Sequence, residues 1–352
     1  MPRPIRKWNF RSLMVILKRF LIISTILYSM SSLIFDTSYS RRIAHAFTAN
    51  ISRYVFQPDD NMLKNISNIY RPLRTKTLYP LTQSRDYLLN NISICDTEIS
   101  ILFIIHSAID NFEHRQKIRS TYGLRKRYLP YEVRVIFLLG RKIDNGRQGE
   151  IIREHAEHGD IIQGDFIDSY HNLTHKGVMG LRWMSENCRS VKYSIKLDDD
   201  AVFDTKLFFD KMFKKYGDRK RTMWCTVCHR SYIYRAGKWK VRDDEFKGYK
   251  RWPWAYCAGF AVIITGDLPT ALYRSSLASP FFWVDDVYLF GVLPHRVGGV
   301  ALKSLPPDAT LQPSYPSGLS CLRRGKGCQT VAVGAKNPKE IDEVWNLMVK
   351  RH

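Results

Sequence analysis

VKYSIKLDDDAVFD, residues 191–204, alternates Val191, Tyr193, Ile195 and Leu197 on one side and then runs into three adjacent carboxylates, Asp198, Asp199 and Asp200. A period of two is that of a strand with one buried face. Upstream, ISILFIIHSA (99–108) and EVRVIFLLG (132–140) are continuous apolar runs of strand length, which suit parallel strands covered on both sides. DIIQGDF reads as a short or edge strand. Helical patterns lie between and after these strands. EHRQKIRSTYG is stopped by Gly123, GEIIREHAEHG (149–159) ends on a glycine, and SYHNLTHKGVMGLRWMSENC (169–188) keeps near-3.6 spacing. DTKLFFDKMFKKYG has Asp204 as N-cap and Gly217 past its end. Strands alternating with helices predict an α/β domain with a mostly parallel sheet. Ligands of such sheets bind beyond the carboxyl ends of the strands, where Asp198–Asp200 stand. After Pro306 the chain reads as loop until NPKEIDEVWNLMVKR, where Asn337 caps a helix and Pro338 takes its first position.

Two carboxylates at i and i+2 can share one side and hold a hard divalent cation, which neutralises a diphosphate leaving group. A solvated acidic turn is the competing reading. A calcium loop fails, because counting from Asp198 puts Phe203 where glycine is required and Phe209 where glutamate is required. A second acid pair, Asp285 and Asp286, sits inside FFWVDDVYLFG between apolar residues. Carboxylates so placed are costly to bury without a purpose, although a helix start would also accept them. One of them as a general base would explain the placement.

The formal net charge is +22, from 55 Lys and Arg against 33 acids. Zinc-finger spacing, basic-region heptads and RNA-binding aromatic motifs are all lacking, which argues against nucleic acid. Six basic residues from Arg3 to Arg19 precede an apolar run, Phe20 to Phe35. This order predicts a cytosolic tail (1–19), an uncleaved signal anchor (20–35), a polar stem (36–94) and a lumenal domain (95–352), with a cleaved signal peptide as the rival reading. Sequons at Asn50, Asn65 and Asn91 fit that stem as glycosylation sites, and a fourth lies at Asn172. The seven cysteines are an odd number, so at least one is free or intermolecular, and Cys225 and Cys228 are structural thiols or disulfides rather than a zinc pair.

HRQKIRSTYG, VIFLLG, GDIIQGDFIDSYHNLTHKGVMGLRW, CRSVKYSIKLDDDAVF, KWKVRDDEFKGYKRWPWAYCAGFAVIIT and VDDVYLFGV follow one another in this order. Together they resemble the β-1,3-galactosyltransferase and β-1,3-N-acetylglucosaminyltransferase family of Golgi enzymes, with its fringe-related branch, from about Cys95 to Gly299. The resemblance implies a GT-A type α/β domain behind a signal anchor, a UDP-sugar donor, Mn²⁺ and inverting transfer of a hexose to a glycan hydroxyl. It implies a type II protein of the Golgi membrane with glycoprotein or glycolipid glycans as acceptors and no nucleic acid partner. Asp198–Asp200 match its acidic triplet, with Asp200 and Asp198 toward the metal and Asp198 and Asp199 toward the nucleotide and ribose. Asp286 matches the base, with Asp285 where glutamate is usual. Arg115, Arg119 and Lys176 match donor-binding positions, with Tyr122 in place of tryptophan. Trp252, Trp254, Tyr256 and Gly259 match the acceptor segment. The family's late metal-binding histidine has no clear counterpart: His295 follows Asp286 by only nine residues and the next histidine is His352. These departures also admit a weakened member that binds lumenal glycans.

Overall fold

The fold is that of a computed structural model, which describes residues 87–142 and 146–352. The expected tail and anchor, most of the expected stem, Asn50 and Asn65 lie outside the described residues. Among the described residues no helix is long and apolar enough to cross a membrane.

The first half runs β1 (Ile99–His106), α1 (Phe112–Ser120), β2 (Val133–Arg141), α2 (Gln148–His158), β3 (Ile161–Ile167), α3 (Leu173–Asn187) and β4 (Val191–Asp198). After the carboxylates come β5 (Ala201–Phe203), α4 (Thr205–Phe208), which continues through a π turn to Tyr216, and β6 (Thr222–Cys228). β7 (Tyr256–Thr265), α5 (Leu268–Leu277), α6 (Asp285–Val287) and β8 (Ala301–Ser304) follow, then β9 (Thr310–Gln312), α7 (Tyr315–Leu322), β10 (Thr330–Gly334) and α8 (Pro338–Lys350).

The main sheet has seven strands in the order β3-β2-β1-β4-β7-β6-β8. β3, β2, β1 and β4 are mutually parallel, β7 is antiparallel to β4 and β6, and β8 is parallel to β6. The expected mixed α/β domain with a mostly parallel sheet is therefore present, with DIIQGDF at its edge. Caps sit where the sequence put them. Asp204 accepts from Leu207 N–H at 2.8 Å, Asn337 accepts from Glu340 N–H at 3.0 Å, and Gly159 closes α2 at φ 65°.

β4 departs from expectation. It lies in mid-sheet, so its second face is covered as well: Ser194 and Lys196 are buried along with Tyr193 and Leu197. A buried ammonium is tolerated only with compensating partners, and those partners belong to the site described below.

The stretch after Pro306 is also not a loop. β10 pairs antiparallel with β5 and parallel with β9 in a second, three-stranded sheet. These strands are too short to show a period, and α7 is joined to the start of β10 by the Cys321–Cys328 disulfide. Two more disulfides join Cys95 to Cys188 and Cys225 to Cys257, and Cys228 is free. The Cys225-x-x-Cys228 pair is thus one cross-strand disulfide and one half-buried thiol.

Candidate active site

The triplet divides its work. β4 ends at Asp198, in register with His106 of β1. Asp199 turns inward, where its Oδ2 accepts from Ser107 Oγ (2.7 Å), Asn111 Nδ2 (2.9 Å) and Ala108 N–H (3.1 Å). Asp198 and Asp200 face outward into a cleft of about 700 Å³ walled by Phe260, Gln312–Pro316, Gly334–Lys336 and Glu340. Most of that wall comes from the segment after Pro306, for which the sequence predicts a loop. β5 and β10 carry it there, with Ala335 N–H donating to the Asp200 carbonyl at 2.7 Å.

Asp200 makes no ion pair among the described residues. Burial first, then the charges of Asp198 and Asp199, push its carboxyl up to about 6. Asp200 has no cation partner among the described residues and Asp198 has one ammonium, that of Lys196, so the pair keeps carboxylate oxygens of the kind a hard divalent ion takes. Mg²⁺-type sites often use one or two carboxylates with substrate phosphates completing the shell. The donor set therefore fits such a cation bound together with a diphosphate. Among the described residues no group of three or more His, Cys, Asp or Glu could hold one alone. His295 does not join Asp198 and Asp200 at the cleft; it stacks on Trp254 at 6.0 Å.

Lys196 links this cleft to the second acid pair. Its ammonium donates to Asp198 Oδ1 at 2.7 Å and to the Gly259 carbonyl at 2.6 Å. Burial opposes its charge, but Asp198, Asp286 and Asp285 hold it above the ordinary lysine range. Asp286 also lies against Gly259. Burial pushes its carboxyl above the ordinary carboxylate range, against the pull of Lys196 and of a backbone hydrogen bond from Gly259. Burial, then Asp286, pushes Asp285 up to about 7. Asp286 opens into a cavity of about 230 Å³ with Trp252, Tyr256, Tyr234 and Trp239.

Gly259 is required by this contact. A Cβ there would stand 1.8 Å from Asp286 Oδ1 and 2.7 Å from its Cγ. Gly259→Ala should therefore displace the carboxylate and lower turnover by about 10²-fold, the scale of a 1 Å misplacement. A melting curve close to the parent's, measured alongside the turnover, would separate this effect from misfolding.

The residues expected to touch the donor sit behind the site instead. Arg115 is fully buried. Its guanidinium pairs with Glu154 (2.7 Å) and donates to Ser107 Oγ (3.0 Å), Ala108 O (2.7 Å) and Ile109 O (3.1 Å). Arg119 pairs with Glu154 and Asp160, each at 2.8 Å. Lys176 donates to Ser107 O at 2.5 Å and to Asp168 at 2.9 Å. Arg115, Lys176 and Asp199 thus converge on the Ser107–Asn111 loop at the carboxyl end of β1 and fix it. α1 carries Arg115 and Arg119 four apart on one face, but that face looks into the protein, and Tyr122 just beyond it packs edge-on against Phe103 at 5.2 Å.

Trp254 is likewise a core residue, packed near Phe246 at 6.0 Å, whereas Trp252 and Tyr256 reach the cavity. Tyr234 and Trp239 at its mouth were missed. They lie in an irregular basic segment with no periodic signal. Asn91 is half-buried; its Nδ2 donates to Gly159 O at 2.8 Å and its Oδ1 accepts from Ser93 N–H.

Residues 113–305 match the family model described as Galactosyltransferase. The chain is similar to beta-1,3-galactosyltransferase 1 of Mus musculus, 28% identical over 293 residues, covering 80% of this chain and 83% of the relative. It is 28% identical over 261 residues to beta-1,3-galactosyltransferase brn of Drosophila melanogaster, covering 71% and 75%. It is 29% identical over 218 residues to lactosylceramide 1,3-N-acetyl-beta-D-glucosaminyltransferase A of Danio rerio, covering 58% and 56%. The solved structure of galactosyltransferase LgtC with donor and acceptor sugar analogs aligns at 11% identity and TM-score 0.35, over 71% of this chain and 95% of that one. The family match spans more than half of the sequence and runs from α1 through the acid triplet and the acid pair to the end of β8, so the chain belongs to the galactosyltransferase family.

Proposed function

We propose that this hexosyltransferase is of the GT-A type and moves galactose or N-acetylglucosamine from a UDP-sugar to a glycan hydroxyl in β-1,3 linkage, with inversion. Asp198 and Asp200 would hold a divalent cation, Mn²⁺ by family resemblance, and that cation supplies charge neutralisation to the leaving diphosphate. The carrying observation is Lys196, which ties Asp198 to the Gly259 strand on which Asp286 rests, and so couples two cavities of different character.

The polar cleft suits the nucleotide diphosphate, and the aromatic cavity suits the apolar face of a sugar ring. Asp286 receives the proton of the acceptor hydroxyl as its oxygen bonds to the anomeric carbon. The bond from that carbon to the diphosphate oxygen breaks on the opposite face, and one displacement inverts the centre. Lys196 keeps a positive charge beside Asp286 and Asp198 and limits their mutual repulsion. Arg115, Lys176 and Asp199 act through the Ser107–Asn111 loop, and Arg119 acts behind them by holding Glu154, the carboxylate that pairs with Arg115. A Golgi location, with an N-terminal anchor and the domain in the lumen, accords with the order of basic tail, apolar run and sequons and with the disulfides.

The pH dependence tests the base. Asp286 must be ionised to accept a proton, and its carboxyl is raised above the usual range. Turnover at saturating donor and acceptor should therefore fall as pH drops, with a midpoint above the ordinary Asp value of about 3.9. A profile from about pH 8 down to about pH 4 that stays flat would remove Asp286 from this role.

A further inference from the structure

The mouth of the acceptor cavity is aromatic and cationic at once. Tyr234, Trp239 and Tyr170 are 54%, 48% and 39% exposed, although each is large and apolar. They form a connected rim: Trp239 Nε1 donates to Tyr170 Oη at 2.7 Å, and Tyr234 and Trp239 lie 5.9 Å apart. Trp239 lines the same cavity as Asp286. In sequence it stands between two exposed lysines, Lys238 and Lys240. The Lys238 ammonium sits 4.2 Å over the Tyr170 ring, within cation–π reach.

From His229 to Arg251, eight Lys and Arg face three acids. Arg235 is spent on backbone carbonyls, Arg242 on Asp244 and Glu245, and Arg251 on Tyr232. Lys238 and Lys240 have no carboxylate partner among the described residues. An excess of unneutralised cations beside a sugar-sized aromatic cavity raises the local concentration of anionic ligands. The cavity, at about 230 Å³, has room for little more than one sugar ring, and the exposed Tyr234 and Trp239 in its lining offer the next unit of an acceptor a surface beyond it.

We propose that the acceptor is an anionic glycan of at least two units, whose acceptor sugar enters the Trp252–Tyr256 cavity and whose next unit carries a sulfate or carboxylate toward Lys238 and Lys240 while stacking on Trp239. The inference rests on the transferase reading above and names the class of its acceptor. Sulfate and uronic acid carboxylate share the recognising chemistry, an exposed anion held by ammonium groups at the rim.

The test uses the full chain with UDP-galactose and UDP-N-acetylglucosamine, and three disaccharide acceptors that differ only in the second unit: neutral, sulfated or uronic. Parent and Lys238→Ala/Lys240→Ala are compared by kcat/KM. The parent should prefer an anionic acceptor by about tenfold, corresponding to about 1.4 kcal/mol. The preference should shrink toward one in the double variant and in high salt, where such contacts are screened. Which anion is preferred identifies the source of the charge. Equal use of all three acceptors by the parent, or a preference untouched in the double variant, overturns the inference and leaves the transferase reading standing. No transfer to any of the three overturns the inference as well, and transfer to other glycans then decides the transferase reading separately.

Discussion

Asp286→Asn should lower turnover by about 10²–10⁴-fold, the range of a lost general base, while donor KM stays close to the parent value. The split follows from the geometry. Asp286 opens into the aromatic cavity and Asp198 and Asp200 into the polar cleft, so a neutral side chain at 286 leaves the donor carboxylates untouched. Asparagine is nearly isosteric, and its oxygen can keep the Gly259 hydrogen bond, so the fold is retained. Turnover near the parent value would transfer the role to Asp285, which is raised to about 7 beside it.

Arg115→Ala should cost about 3–5 kcal/mol of stability, because one partner of a buried ion pair is removed and three loop acceptors lose their donor. That corresponds to a fall in Tm on the order of 10 °C. Arg115→Lys should recover little of this, since an ammonium cannot reproduce the planar fork that meets Glu154 and the loop together. Thermal unfolding of the full chain checks both variants. If Arg115→Ala melted with the parent but bound donor poorly, the guanidinium would be a donor contact and not a clamp on the Ser107–Asn111 loop.

What the sequence showed and what it hid follow one physical divide. β1 and β2 are buried on both faces and consist of unbroken apolar runs, so they could be read directly. β4 was read as half-buried because Lys196 and Ser194 are polar. Their burial depends on Asp198 and the Gly259 carbonyl, the second of which is 63 residues away in sequence. The same limit hid the direction of Arg115. Its four-residue spacing from Arg119 shows a common helix face, but not that Glu154 of α2 lies beneath it. The triplet and Asp286 stand out in the sequence because carboxylates between apolar residues are costly, and the cost is visible locally. The segment after Pro306 does not, since β9 and β10 have three and five residues and gain their order from β5 and a disulfide. Disulfide pairing among seven cysteines requires the fold.

In the proposed reaction Asp198 and Asp200 would hold a UDP-sugar through a divalent cation while Asp286 activates the acceptor across the Lys196 link. Mass spectrometry of glycan acceptors incubated with the full chain, a panel of UDP-sugars, and Mn²⁺ or a chelator tests it most directly. The expected result is a gain of one hexose or N-acetylhexosamine from one donor, present with Mn²⁺, abolished by the chelator and restored by added metal. Transfer that proceeds unchanged in the chelator, or no transfer from any UDP-sugar with Mn²⁺ present, would contradict it.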